Sequence, residues 1–217
     1  MPEMPRKLIT LACLSLALGL AACSSPGREP GVVSDARPAD QLSGIHKMIE
    51  RAEGMSSPQA EKTLIEAANQ LLEQNKLQEA AKILVPLDSS MLPAIVKADH
   101  VIALARLAMV QEKYARATEL LTTDERGLVT ASISLDAERL NRISLLRAQA
   151  WEAQQNYLAA ARERIFVSAM LANPDAFNAN HQQIWTDLIS VPTENLEQLA
   201  QTVAIPEIQG WLELAWI

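Results

Sequence analysis

The hydrophobic positions of residues 41–217 recur with the 3.6-residue spacing of α-helices. Alanine, leucine, glutamate, glutamine and arginine, which favour helix, fill most of the other positions. Between Met55 and Gln209 the only glycine is Gly127, so the glycine-rich loops that bind phosphate are excluded. Strand-like alternation occurs only around Val129–Leu135, which we interpret as a linker. The pattern therefore predicts an all-α domain.

Proline and helix-capping residues divide this region into short helices. Proline is tolerated in the first turn of a helix and disfavoured in its interior, so each proline marks an end or a start. The positions are Ser57-Pro58, Pro86, Pro93, Asn173-Pro174, Pro192-Thr193 and Pro206. Short helices joined by short turns are expected.

One pattern of residues occurs three times along the chain. Its copies start at Ala68, Ala105 and Ala148, and each has an apolar or aromatic residue nine positions later and an alanine three positions after that. The later members are Leu77 and Ala80, Tyr114 and Ala117, and Tyr157 and Ala160. The pattern resembles the tetratricopeptide repeat, in which small residues let two antiparallel helices approach closely and a larger residue fills the gap at their turn.

The copies depart from the tetratricopeptide consensus in two respects. Asn75, Glu112 and Gln155 replace the glycine at the turn, and the copies are 37 and 43 residues apart. Any alanine-rich helical hairpin could produce similar matches, which is the alternative interpretation. Both interpretations predict a tetratricopeptide-like solenoid of helical hairpins.

The first helix of each hairpin would place mixed polar and apolar residues on the concave face of such a solenoid. A face of this kind suits peptide binding, although it is equally typical of a plain solvated surface. We regard four residues as candidates for a peptide groove: Asn69, Arg106, Arg142 and Gln149.

The composition narrows the possible chemistry. The net charge is −7 and the acidic residues are scattered, so nucleic acid is not expected as a partner. His46, His100 and His181 lie on separate predicted segments with no ligand at metal-binding spacing, so no metal or cofactor is expected. No catalytic serine or zinc-protease motif occurs, and no catalytic residue is assigned. Each of the four tryptophans lies in an apolar helical pattern, which predicts a place in the core.

Residues 1–22 have the features of a signal peptide. Arg6 and Lys7 precede an apolar run of 15 residues, Leu8–Ala22, which is short for a membrane span. The run ends in Leu20-Ala21-Ala22-Cys23, which resembles the lipobox of bacterial lipoproteins, whereas an ordinary secretory signal would leave Cys23 incidental. The resemblance implies that Cys23 is lipidated and anchors the chain to a membrane.

The residues after Cys23 predict where the anchor would sit and where the fold begins. Bacterial lipoproteins with Asp after the cysteine usually stay in the inner membrane, and the Ser24 of this chain therefore implies the periplasmic face of the outer membrane. Residues 23–40 are rich in proline and glycine and are expected to form a flexible tether, with the helical domain spanning 41–217. Cys13 and Cys23 are the only cysteines, so no disulfide is expected in the domain.

The C-terminal third carries the most specific family resemblance. Its elements are Ile184-Trp185-Thr186-Asp187-Leu188-Ile189, then Leu196 and Leu199, then Ile208-Gln209-Gly210-Trp211-Leu212-Glu213-Leu214-Ala215. Their order resembles the N-terminal domain of the penicillin-binding protein activator LpoA family, whose members also begin with a lipobox and continue through tetratricopeptide-like helices. The resemblance implies a lipoprotein that stimulates peptidoglycan synthesis by a class A penicillin-binding protein and performs no catalysis itself.

Members of that family normally continue into a second domain that resembles periplasmic binding proteins and is credited with contacting the synthase. This chain ends at Ile217, so it is expected to be a fragment or a shortened member. Two other functions compete with this hypothesis. One is a tetratricopeptide-type scaffold for pilus or outer-membrane protein assembly, and the other is a cell-wall hydrolase. The hydrolase is disfavoured because the chain lacks the Glu-Ser pair of lytic transglycosylases.

We predict that Cys23→Ser leaves an uncut precursor without lipid, because only the cysteine sulfur can be acylated before cleavage. Metabolic labelling with palmitate and the size of the mature chain measure this directly. Cys13→Ser, in the segment that is removed, is the matched control and should label normally. Unchanged labelling of Cys23→Ser would refute the anchor.

Overall fold

The computed structural model describes residues 38–122, 135–202 and 206–216, and within these ranges it contains ten α-helices and no strand. The predicted all-α fold is confirmed, while most of the Val129–Leu135 segment lies outside the described residues. The helices are α1 (Pro38–Glu53), α2 (Gln59–Glu73), α3 (Leu77–Leu84), α4 (Ala94–Val110), α5 (Tyr114–Thr122), α6 (Ala137–Ala153), α7 (Tyr157–Ser168), α8 (Pro174–Ile189), α9 (Thr193–Thr202) and α10 (Pro206–Trp216).

The three copies of the sequence pattern form three helical hairpins: α2 with α3, α4 with α5, and α6 with α7. Their first helices pack side by side, α2 on α4 and α4 on α6, while α3 contacts α4 and α5 contacts α6. This succession of hairpins is the solenoid that the repeat pattern predicts. No helix in the described ranges is long and apolar enough to cross a membrane.

Small residues lie where the two helices of each hairpin meet. Ala68, Ala105 and Ala148 on the first helices have no exposed surface. The same is true of their partners on the second helices, Ala80, Ala117 and Ala160. Since a methyl side chain adds little to the helix radius, the backbones can approach to the short end of the range seen for packed helices. The three hairpins predicted from the sequence are therefore present, and all six alanines of the pattern are buried in them.

The residues that replace the consensus glycine adopt the backbone conformation of glycine. Asn75, Glu112 and Gln155 have φ angles of 58°, 58° and 60°, in the left-handed region. In the third hairpin the Gln155 N–H donates to the Glu152 carbonyl at 2.8 Å, and the Asn156 N–H donates to the Trp151 carbonyl at 2.9 Å. This pair of bonds is a Schellman motif, which satisfies carbonyls at the helix end. The other two turns carry the same pair, so the missing glycines leave the turn unchanged.

The hydrophobic core of the described residues divides into three clusters. One joins α1, α2 and α3 to α4 around Leu71 and Leu84, and a second joins α4 to α5 and α6 around Val101. Helix α4 contributes to both clusters, since nine of its residues are buried. The third cluster joins α7, α8, α9 and α10 around Ile184 and Leu212.

The C-terminal helices begin where proline predicts and carry an aromatic stripe that the sequence analysis misassigned. Asn173 caps α8 by accepting from the N–H groups of Asp175 at 2.9 Å and Ala176 at 3.1 Å. On the outer side of α8 the Trp185 ring lies 4.9 Å from that of Trp211 on α10. The prediction that the tryptophans lie in the core is wrong for Trp185, whose surface is 36% exposed. Its neighbours on the helix, Ile184 and Leu188, are buried in the third cluster.

We predict that Ala148→Leu destabilises the domain by about 1–3 kcal/mol, because a larger side chain at the closest approach of α6 and α7 overpacks the contact. The same change at the neighbouring, exposed Gln149 should cost under about 0.5 kcal/mol. Urea denaturation followed by circular dichroism measures both. Equal losses would show that the alanine does not set the hairpin contact.

We also predict that Gln155→Gly is neutral or stabilises by up to about 1 kcal/mol, because glycine removes the strain of a left-handed residue with a Cβ atom. Gln149→Gly, in the middle of the same hairpin's first helix, should instead destabilise by about 0.5–1 kcal/mol. The same denaturation experiment compares the two. A loss of stability at Gln155 as large as that at Gln149 would contradict the turn geometry.

Candidate partner groove

The first helices of the three hairpins enclose a shallow cleft with a volume of about 350 Å³. Ile65 on α2 and Ile102 on α4 are buried and form its apolar floor. The polar side chains that line it include Lys62, Glu66, Asn69, Glu73, Asp99, Arg106, Arg139 and Arg142. The cleft is thus built from residues that are up to 80 positions apart in the chain but occupy equivalent faces of repeated helices.

Arg106 links the first two hairpins across the cleft. Its Nη1 donates to Oδ1 of Asn69 at 2.7 Å, and its Nη2 lies 3.6 Å from Oε1 of Glu73. The Arg106 side chain remains 34% exposed, so a bound partner can still reach it. Because exposed ion pairs contribute little to stability, this arrangement mainly orients the guanidinium.

Arg139 links the second and third hairpins more firmly. Its Nε and Nη2 donate to the two carboxylate oxygens of Asp99 at 2.8 Å and 2.9 Å, a bidentate geometry that fixes both side chains. Hydrogen bonding to Asp99, followed by Asp136, raises the pKa of the Arg139 guanidinium further above its ordinary value. Asp136 is also the N-cap of α6 and accepts from the Arg139 N–H at 2.8 Å, which lowers the pKa of that carboxyl.

The structure brings together three of the four residues that the sequence suggested. Asn69, Arg106 and Arg142 line the cleft, and Arg142 donates to Oε1 of Glu138 at 2.6 Å. Gln149 is exposed but is not among the lining residues. It lies seven residues beyond Arg142 on α6, which corresponds to about 10 Å along the helix.

Arg139 is a residue of the cleft that the sequence does not reveal. Asp136 can be predicted as the start of a helix, because aspartate is a common N-cap residue. The partner of Arg139, Asp99, lies 40 positions earlier on another hairpin, and no local pattern links the two. Only the packing of α4 against α6 brings them into contact.

The cleft is more cationic than the rest of the chain. It presents four cationic side chains, from Lys62 and three arginines, against three carboxylates, although the chain as a whole carries −7. Within the described ranges no group of three histidine, cysteine or acidic residues is placed to hold a metal ion. Oriented guanidinium groups above an apolar floor can bind carboxylates and side chains of an extended peptide.

One known protein family matches all of the residues that the structure describes. The family model "LppC putative lipoprotein" matches residues 38–217, from the first residue of α1 onward. The chain belongs to the LppC family. The predicted family resemblance is thereby confirmed, because the curated relatives of this LppC chain are also activators of the LpoA type.

Two of those relatives come from Vibrio cholerae serotype O1, one from strain O395 and one from the El Tor strain N16961. Each is named "Penicillin-binding protein activator LpoA" and is 26% identical to this LppC chain over 213 residues. The match covers 98% of this chain but 33% of each relative. The chain therefore spans about a third of the length of the curated relatives that it matches.

A solved structure supports the same fold. Haemophilus influenzae LpoA, in a monoclinic crystal form, superposes with a TM-score of 0.52 and 21% identity. The superposition covers 79% of this LppC chain and 30% of the solved one. At this identity the likeness establishes the helical architecture.

Proposed function

We propose that this chain is a lipoprotein of the outer membrane, anchored at its periplasmic face through Cys23, that regulates peptidoglycan synthesis by activating a class A penicillin-binding protein. The observation that carries the proposal is the match of 98% of the chain to proteins named as penicillin-binding protein activators. Membership of a lipoprotein family supports the anchor, although Cys23 lies outside the described residues. The same names favour an activator over a scaffold for envelope assembly or a cell-wall hydrolase.

In this proposal the helical domain extends from the anchored Cys23 toward the synthase and performs no catalysis. Contact with the synthase would come chiefly from the part of the relatives that this chain does not cover. The domain's own surface offers the cleft of Asn69, Arg106 and Arg142 as a second place where an extended peptide can bind. Gln149, outside the cleft, would contribute little to such binding.

The proposal is tested by measuring glycan polymerisation by the class A penicillin-binding protein of Vibrio cholerae with four additions. These are residues 24–217 of this chain, the Vibrio cholerae relative, the part of that relative beyond the match, and a chimera in which that part follows Ile217. We expect weak or no stimulation by the chain alone and clear stimulation by the other three. A chimera that fails beside a working relative would refute the function.

The same assay locates the contact. If the chain alone stimulates as strongly as the chimera, the division of labour is wrong and the contact lies in the helical domain. In that case Arg106→Ala and Asn69→Ala should abolish the stimulation, and Gln149→Ala, outside the cleft, should not. The three variants alter one exposed or half-exposed side chain each, so they separate binding from folding.

A further inference from the structure

Three ionisable side chains meet inside the junction of α6, α7 and α8. Arg164 on α7 donates from Nη2 to Oε1 of Glu152 on α6 at 2.5 Å and from Nε to the same oxygen at 2.7 Å. The same Nε lies 3.4 Å from Oδ2 of Asp187 on α8. The Arg164 side chain is 10% exposed, that of Glu152 22% and that of Asp187 1%.

The hydrogen bonds around this cluster leave one oxygen without a partner. Oδ1 of Asp187 accepts from Nε2 of Gln183 at 3.2 Å, whereas Oδ2 is buried and has no hydrogen bond within the described part of the chain. The remaining donors of Arg164 do not reach it, since Nη1 points to Oδ1 of Asn180 at 3.5 Å. A buried carboxylate oxygen with no donor is costly, and the cost falls if that oxygen carries a proton.

The balance of charges in the cluster also favours one protonated carboxyl. Two ionised carboxylates beside one guanidinium leave an uncompensated negative charge, and the Asp187 side chain, at 1% exposure, is shielded from water. If one carboxyl keeps its proton, the cluster is neutral, and the protonated Asp187 side chain can hydrogen-bond to that of Glu152, which lies within reach. Pairs of carboxyls in confined sites hold a shared proton for this reason.

We propose that Glu152 and Asp187 share one proton and that this proton acts as a pH-sensitive latch that holds α8 against α6 and α7. At acidic pH the proton is present and the junction is closed. As the pH rises toward neutrality the proton is lost, two negative charges then face one guanidinium, and α8 is held less tightly. The proposal concerns the helical domain alone and does not rest on the activator function.

The pKa of Asp187 agrees with this geometry. Burial raises it from the ordinary value of 3.8 to about 6, the charge of Glu152 raises it next, and the hydrogen bonds of Gln183 and the charge of Arg164 oppose the rise. A carboxyl whose pKa is raised by folding stabilises the fold most below its unfolded value, and that stabilisation is lost as the pH rises to the folded value. The window of the latch is therefore about pH 4 to 6.

The other charged groups on α6 to α10 are exposed to solvent or paired elsewhere. Glu163 on α7 accepts from Nη2 of Arg147 on α6 at 2.5 Å, and His181 on α8 packs between the rings of Phe177 and Trp211. The exposed ones are Glu138 and Arg142 on α6, Arg162 on α7, Asp175 on α8, Glu194 and Glu197 on α9, and Glu207 and Glu213 on α10.

The purified full-length chain tests the latch by two measurements: carbon-13 NMR titration of the Asp187 carboxyl, and the melting temperature between pH 4 and 8. We expect the carboxyl to titrate near pH 6 and the melting temperature to fall between pH 4 and 6. Asp187→Asn, which mimics the protonated form, should remove that fall. Glu163→Gln is the matched control, because it alters a pair with one carboxylate per guanidinium, and it should keep the fall.

A titration midpoint below pH 5, or a melting profile of Asp187→Asn parallel to that of the unaltered chain, would overturn the latch. Glu152→Gln keeps the test decisive if Asp187→Asn does not fold. Removal of the Glu152 charge should lower the titration midpoint of Asp187 by at least half a pH unit, and an unchanged midpoint would refute proton sharing.

Discussion

The close approach of paired helices at buried alanines is the constraint on which the rest of this structure depends. At Ala105 and Ala117, and at the equivalent positions of the other two hairpins, the side chains have no exposed surface. The three-residue turns between the paired helices all adopt the same geometry, in which even Glu112 has a positive φ angle. Because the turn is repeated, α2, α4 and α6 are aligned, and this alignment creates the cleft.

Those features were predictable from the sequence because they are local. The residues Ala148, Tyr157 and Ala160 lie within one hairpin, so a short continuous segment of sequence contains the whole pattern. Pro174 and Asn173 mark a helix start through local chemistry, because proline fits the first turn and the asparagine side chain accepts from the first N–H groups. The fold class, the hairpins and the helix boundaries follow from signals of this kind.

The features that were missed depend on residues that are distant in sequence. The Arg139–Asp99 pair joins two hairpins, and the cluster of Arg164, Glu152 and Asp187 joins three helices. Hydrophobic periodicity places Trp185 on a helix but does not tell which neighbouring helix covers it. The burial of an aspartate within a tryptophan-containing motif has no local signature, since charged residues are rarely buried unless paired.

Helix α4 takes part in two of the three core clusters, whereas the cluster of α7 to α10 includes no residue of α4. Opening of α4 would disrupt both of the core clusters to which this helix contributes. The region from α1 to α6 should therefore unfold as one cooperative unit. The C-terminal helices have a core of their own and can open at a lower free energy while that unit stays folded. Partial unfolding of this protein would therefore begin with α8, α9 and α10, whose opening leaves all three hairpins and both clusters of α4 intact.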